Sequence, residues 1–324
     1  MNTQRIALVL GATGGIGGEV ARQLVARGWR VKALQRSPDA LKNPDPRFEW
    51  LRGDAMVEQD VVSAAQGASL IVHAVNPAGY HNWSGLVLPM IDNSIAAART
   101  SGARILLPGT VYNYGPDVFP VWSEAAPQHP TTRKGAIRVE LERRLKVAAG
   151  EGVRSLIVRS GDYFGSSHAN TWFASGLVKP GQRLKAIRYP GEPGIGHQWA
   201  YMPDVAQTMI CLLEQEERLA TFATFHMRGH WDADGTRMVS TILRMGGYAN
   251  VVVRSFPWWA IPLIAPFSEM FRELKEMRYL WQQPLRMDNQ QLISVLGHEP
   301  HTPWDEAVRA TLVAMGCVSG SGKR

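Results

Sequence analysis

The stretch Leu8-Val9-Leu10-Gly11-Ala12-Thr13-Gly14-Gly15-Ile16-Gly17-Gly18 constrains this chain more than any other. An apolar run from Ile6 to Leu10 leads straight into a glycine-rich turn, and the turn opens a helix. Gly11 suits the tight exit from the strand, Gly14 lets the backbone approach a pyrophosphate, and Gly17 lets the helix pack closely on a sheet. Free N–H groups and the helix dipole then face the phosphates. The spacing is G-x-x-G-x-x-G, not the commoner G-x-G-x-x-G. With its strand before it and its helix after it, the turn predicts nucleotide binding through Gly11, Thr13, Gly14, Gly15, Ile16 and Gly17; the bland alternative is a structural turn.

The next strand, Arg30 to Leu34, ends in Gln35-Arg36-Ser37. An NAD-selective site places Asp or Glu here to accept hydrogen bonds from the ribose 2′-OH. No carboxylate occurs before Asp39. An arginine attracts a 2′-phosphate and offers no acceptor. Arg36 therefore points to NADP(H), against the alternative of a solvated surface arginine.

At 324 residues the chain has core enough for one large α/β domain, or for one domain plus a small lobe. Its net charge of +7 is spread along the sequence, which argues against a nucleic-acid partner. The two cysteines, Cys211 and Cys317, are far apart and fit neither a disulfide framework nor a zinc site. The first strand starts too early to leave room for a signal peptide, so a cytosolic location is expected. The apolar segment Phe256 to Phe267 is too short to span a bilayer and is broken by Pro257, Pro262 and Pro266. It reads as the lid or wall of an apolar substrate pocket, with ordinary core as the alternative and no membrane partner.

Strands at Phe48 to Arg52, Ser69 to Ala74, Arg104 to Pro108 and Arg154 to Arg159 alternate with helices at Leu86 to Ser101 and Lys134 to Ala149. This rhythm predicts an α/β fold, a doubly wound parallel sheet of Rossmann type, over residues 1–165. Residues 195–228 are expected to return to that sheet. Residues 166–194 and 229–318, rich in Gly/Pro turns and then in helices (Glu269 to Trp281, Asp305 to Met315), form a smaller, mostly helical substrate-binding lobe. Residues 319–324 read as a flexible tail.

Three further segments join the glycine turn: Gly53-Asp54, Ile71-Val72-His73-Ala74, and His197-Gln198-Trp199-Ala200-Tyr201-Met202-Pro203-Asp204-Val205-Ala206. Together they resemble the short-chain dehydrogenase/reductase superfamily, in its extended or atypical, epimerase/dehydratase-like branch, over nearly the whole chain. The resemblance implies Asp54 against the adenine and Ala74 and Val75 beneath the cofactor. It also implies Thr110 as a substrate-binding hydroxyl, and Tyr163, within Gly161 to Gly165, near the nicotinamide. It says little about the substrate, because one fold hosts many reactions.

The superfamily's usual device is Tyr-x-x-x-Lys on one helix face, where the ammonium lowers the phenol's pKa. None of the eight tyrosines here has lysine four residues on. If Glu140 aligns with the glutamate that often follows the pair, Thr132 and Ala136 occupy the two positions. Another alignment is more productive. Lys134-x-x-Ile137-Arg138-x-x-Leu141-Glu142 is similar to a segment of the isoflavone reductase-like branch, in which one lysine transfers the proton beside NADPH. That likeness implies Lys134 as the acid/base and a cofactor contact; the alternative is an exposed lysine in a first helical turn. Tyr112 and Tyr114 are further phenols within reach.

His226 and His230, with Asp232 and Asp234, imitate metal-ligand spacing, but Gly229 breaks any helix between them; His298 and His301 bracket a proline in a turn. No metal is expected. Trp83, Trp172, Trp199, Trp258 and Trp259 fall in segments expected near the cleft. The reading is an NADP(H)-dependent oxidoreductase moving a hydride to or from a small, partly apolar organic substrate. Its rivals are an epimerase or dehydratase working through transient hydride transfer and a non-enzymatic NADP(H)-binding sensor. Monomer and homodimer both remain open.

Overall fold

The computed structural model describes residues 4–77, 82–165 and 171–319, apart from the side chains of residues 84, 269 and 270. The expected tail, from 320 on, lies outside the described residues. The strands are β1 (Ile6–Leu10), β2 (Arg30–Gln35), β3 (Phe48–Arg52), β4 (Leu70–His73), β5 (Arg104–Gly109), β6 (Val121–Trp122), β7 (Ser155–Arg159), β8 (Asp162–Phe164), β9 (Ala186–Tyr189), β10 (His197–Tyr201), β11 (Phe222–His226), β12 (His230–Asp232), β13 (Val252–Ser255) and β14 (Arg286–Met287). The helices are α1 (Gly15–Ala26), α2 (Glu58–Ala64), α3 (Trp83–Ser101), α4 (Arg133–Ala149), α5 (Met202–Leu213), α6 (Arg237–Gly246), α7 (Ile261–Ile264), α8 (Glu269–Glu276), α9 (Gln290–Leu296) and α10 (Trp304–Ala314).

Seven strands form one parallel sheet in the order β11-β7-β5-β4-β1-β2-β3. Alternation along β1 shows why it must be covered on both sides. Ala7 and Val9 join Val20 and Leu24 of α1 and Val205 and Met209 of α5. Leu8 and Leu10 join Val61 of α2, Ile91 of α3 and Leu141 and Leu145 of α4. The chain reverses its winding between β1 and β4, and the crevice at such a switch point is where open α/β sheets bind ligands.

Of residues 195–228, β11 joins this sheet, whereas β10 pairs with β8 and β12 in a separate three-stranded sheet. The C-terminal region packs around its own aromatic core, in which Trp199, Trp258, Trp281 and Trp304 are buried. The segment Glu269 to Trp281 is the α-helix α8 followed by a 3-10 turn at Met277–Trp281. No helix among the described residues is long and apolar enough to cross a membrane.

The segment 256–267 departs from its expected role as a pocket wall. Trp258 is buried and donates its indole N–H to Pro190 O at 2.7 Å. Trp259, Leu263 and Phe267 are 76%, 67% and 89% exposed. Its three prolines cut the segment into short turns, so successive apolar side chains cannot share one face.

Candidate active site

The glycine turn lies at the switch point. Gly11 has φ +92°, and a Cβ on it would come within 2.5 Å of Ala74 O, just past β4. A Cβ on Gly17 would overlap the Gly11 carbonyl. Both glycines are therefore demanded by the fold itself. Gly14 is different, because a Cβ there would meet only Gly11 O, at 3.2 Å. Among the described residues, nothing else lies within 4 Å of that position. Gly14 is also the N-cap of α1, with no side-chain cap and no acidic residue in the first turn. The helix N-terminus carries neither a side-chain cap from its N-cap residue nor a first-turn carboxylate, and the site suits an anion such as a pyrophosphate.

Arg36 follows β2 and is exposed. Parallel pairing sets Gln35 opposite Arg52 of β3, so a second guanidinium stands beside Arg36. Arg52 pairs with Asp39. Sequence reasoning missed Arg52, because only the β2–β3 register brings it here. Asp54 ends the β3 turn half-buried; its Oδ1 accepts the Met56 N–H at 3.0 Å, and its own N–H donates to Asp60 Oδ2 at 2.8 Å.

Helix α4 starts at Arg133, and Thr132 is its N-cap, accepting the Gly135 N–H at 3.0 Å. Glu140 lies toward the surface with Arg143 and Arg144. Glu142 is the buried glutamate, forked onto Arg159 of β7 at 3.0 and 2.6 Å. The frame that aligned Glu140 and put Thr132 and Ala136 at the reacting positions is therefore set aside: Thr132 serves as a cap, and Ala136 is exposed.

Lys134 is not an exposed first-turn lysine but 3% exposed. Its ammonium lies 3.4 Å from Glu273 of α8 and 5.2 Å from the centre of the Trp83 ring. One turn on, Arg138 is buried as well, 5.2 Å from the same ring, and donates to Asn76 Oδ1 at 2.7 Å. Burial lowers the Arg138 pKa, opposed by the charges of Tyr112, Glu142 and Tyr163. Gly135 makes this packing possible: a Cβ there would overlap the Tyr112 carbonyl and lie 2.6 Å from Pro130.

A cleft of about 110 Å³ opens beside these groups, with Thr110, Tyr112, Asp162, Tyr163 and Trp172 in its lining. Burial pushes the Tyr163 phenol above its ordinary pKa, with Arg138 opposing. Asp162 accepts from His197 Nε2 at 2.9 Å, and the imidazole lies flat on Trp281 at 3.7 Å and 9°. Beneath the cleft runs a chain of polar contacts. Thr110 Oγ1 donates to Asn113 Oδ1 (3.0 Å), and Asn113 Nδ2 donates to Gln128 Oε1 (3.4 Å). Gln128 Nε2 donates to Glu142 Oε2 (2.8 Å), and Arg159 Nη1 reaches His226 Nε2 (3.1 Å). Burial and the Arg159 charge bring His226 down to a pKa of about 3, so the ring is neutral and accepts.

Of the expected residues, Thr110, Tyr112 and Tyr163 come together around the cleft; Lys134 is not in its lining, and its ammonium is near Glu273 and Trp83. Tyr114 does not reach the cleft; it is fully buried, with its hydroxyl 3.1 Å from His226 Nε2. Among the tryptophans, Trp172 lines the cleft, Trp83 underlies the two cations, Trp199 and Trp258 are lobe core, and Trp259 is exposed. His226 and His230 serve separate contacts, and Asp232 accepts the backbone N–H groups of Gly235, Arg237 and Met238. Sequence reasoning missed Arg138 and the Asp162–His197 pair. For Arg138 the signal was present, since it stands four residues after Lys134.

Residues 11–161 match the family model described as NAD(P)H-binding. Over 61 residues the chain is 40% identical to an acetoacetyl-CoA reductase of Acinetobacter sp. (strain RA3849); the match covers 19% of this chain and 23% of that one. Solved structures extend the likeness to the whole fold. A UDP-galactose 4-epimerase aligns with TM-score 0.74 and 17% identity, covering 96% of this chain and 98% of that one. A UDP-glucose 4-epimerase of Thermotoga maritima, solved with UDP-glucose, aligns with TM-score 0.74 and 14% identity, covering 95% and 98%.

Proposed function

We propose that this chain is an NADP(H)-dependent oxidoreductase of the extended short-chain dehydrogenase/reductase type acting on a small, partly apolar substrate; residues 11–161 match the NAD(P)H-binding family model, and the whole chain shares the fold of a UDP-galactose 4-epimerase. The observation that carries this reading is the small cleft walled by Tyr112, Tyr163 and Trp172, with Lys134 buried on the helix turn whose Gly135 packs against the Tyr112 carbonyl. Its volume of about 110 Å³ is below the ~300–1,000 Å³ usual for drug-sized ligands. The uncapped α1 N-terminus and the Cβ-free Gly14 fit the pyrophosphate, and Arg36 suits a 2′-phosphate. Asp54 would hold the adenine end of the cofactor, and Ala74 and Val75 would lie beneath it.

When bound, NADP(H) would supply or accept the hydride. Thr110 orients the reacting oxygen from the cleft wall, and Tyr112 and Trp172 hold the substrate's flat or apolar part. Lys134 gives up or takes the proton, with Glu273 holding its ammonium. Arg138 fixes the β4 loop through Asn76 and brings positive charge beneath the cleft.

An epimerase working by transient hydride transfer is the second reading, favoured by the fold shared with nucleotide-sugar 4-epimerases. Against it stands the basic Lys134/Arg138 pair where such chemistry uses a tyrosine to deprotonate a hydroxyl. Following NADPH absorbance with ketones, enones and nucleotide sugars separates the readings. Net NADPH consumption with a small carbonyl compound supports the reductase, isomerised nucleotide sugar without net consumption supports the epimerase, and cofactor binding without turnover supports a sensor.

A further inference from the structure

We propose that Asp204, His230 and His301 form a binding site for a zinc-type divalent cation, separate from the cleft. Asp204 stands in the first turn of α5, His230 begins β12, and His301 lies in the turn before α10. Each offers one ligand atom, and the three atoms all lie within 4.8 Å of one another. Sequence spacing hides the group, because these residues come from three distant segments.

The chemistry of each member suits a cation. His230 is 2% exposed, and its Nε2 lies 2.9 Å from the Thr302 carbonyl, which only accepts. The proton therefore sits on Nε2 and the Nδ1 lone pair remains; Nδ1 is buried with no hydrogen-bond partner among the described residues. A backbone carbonyl holding the far N–H is the usual second support of a metal-bound histidine.

Asp204 is oriented by Thr302, accepting its hydroxyl at 2.6 Å and its N–H at 2.7 Å. A carboxylate oxygen has a second lone pair, so both contacts leave room for a cation. The His301 ring lies 4.3 Å from that of His230 and is exposed, so it can swing. Trp304 and Phe164 wall the inner side of His230, and solvent on the His301 side completes the coordination. Arg237, over the Trp304 ring, and Glu306 are the further charges facing the group.

Two imidazoles and one carboxylate suit Zn²⁺, Co²⁺ or Ni²⁺ better than Mg²⁺ or Ca²⁺. Bonds of about 2.0–2.2 Å bring tetrahedral ligand atoms to roughly 3.3 Å apart, a short closure for the mobile His301 ring. None of the three residues lines the cleft. The cation would act as a clip, tying the entry of α10 to α5 and hence to the sheet.

The test uses the full chain, tag-free and chelator-dialysed. Co²⁺ titration is expected to give a saturable visible ligand-field band at one equivalent, and Zn²⁺ at about 100-fold over its Kd to raise Tm by several degrees. His301→Ala, a surface change, lowers Zn²⁺ affinity by about 10–100-fold and removes the Tm shift, with an unchanged far-UV spectrum. His298→Ala, also on the surface, keeps the wild-type response. No band and no shift in the wild type, undiminished binding by His301→Ala, or an equal loss in His298→Ala overturns the proposal.

Discussion

Lys134 and Arg138 stand one helical turn apart, each with its cationic centre 5.2 Å from the middle of the Trp83 ring. The i, i+4 spacing is that of the Tyr-x-x-x-Lys device, but here both members are basic and both are buried. The ring faces relieve part of the cost of holding two cations together, since a cation over tryptophan gains about 0.5–2 kcal/mol. Glu273, on α8 of the C-terminal region, relieves more of it by pairing with Lys134 at 3.4 Å.

Replacing that ammonium tests the proposed acid/base. Lys134→Met, which keeps an unbranched chain against Trp83, is expected to slow turnover by about 100- to 10,000-fold. NADPH affinity should stay within a few-fold, and Tyr112→Phe should be milder. Steady-state rates alongside fluorescence titration of the cofactor decide. Full activity in Lys134→Met would overturn the lysine mechanism.

Cofactor choice is expected to depend on Arg36. NADPH should bind more tightly than NADH, and Arg36→Ala should remove about 1–3 kcal/mol of that preference, the size of a charge-assisted contact. Arg52→Ala should matter less, since Asp39 already holds Arg52. Equal affinities for the two cofactors in the unaltered protein would refute the assignment.

The glycine turn offers a paired comparison. Gly17→Ala would drive a Cβ into the Gly11 carbonyl and is expected to lower Tm and disturb folding. Gly14→Ala meets only Gly11 O at 3.2 Å, so it should fold normally and lose cofactor affinity. Thermal unfolding and NADPH titration of both variants read the two effects apart.

Glu142 and Arg159, 5% and 2% exposed, form a buried fork. Glu142→Ala leaves an unpaired buried guanidinium and should cost about 3–5 kcal/mol. Arg144→Ala, which loses the more exposed pairs with Asp92 and Glu140, should cost under about 1 kcal/mol. Urea midpoints for the two variants test the contrast.

Acid should weaken the fold well above the carboxylate range. His73 and His226 have folded pKa values of about 3, against 6.5 ordinarily, chiefly because they are buried. The unfolded chain therefore takes up protons first as pH falls, so this stabilisation is complete above pH 6.5 and is lost down toward pH 3. Burial raises Glu124 and Asp204, which protonate earlier in the folded state and partly offset the loss. Urea midpoints at successive pH values should decline below about 6.5, and His73→Asn should flatten the decline.

The local parts of this molecule were legible in its sequence because their causes are local. A strand, three spaced glycines and a helix occupy adjacent residues, and the parallel strands announce themselves as apolar runs between helices. Arg138 was half-legible, being one turn from Lys134. The contacts of Asp162 with His197 and of Lys134 with Glu273 were not, because they depend on how the C-terminal region folds back over the sheet. The wall expected from residues 256–267 failed for a related reason: hydrophobicity marks a segment for burial or contact, but prolines decide which way each side chain turns.

The polar chain running from Thr110 through Asn113, Gln128 and Glu142 to Arg159 and His226 bears on how this cleft can be altered. Each link satisfies its neighbour, and at the buried members Asn113, Glu142, Arg159 and His226 a change strands a partner away from water. Laboratory evolution should find those positions nearly frozen, with coupled rather than additive effects. Trp172, which lines the cleft and is not one of those six residues, is the place where new substrate preference can be selected while the fold survives.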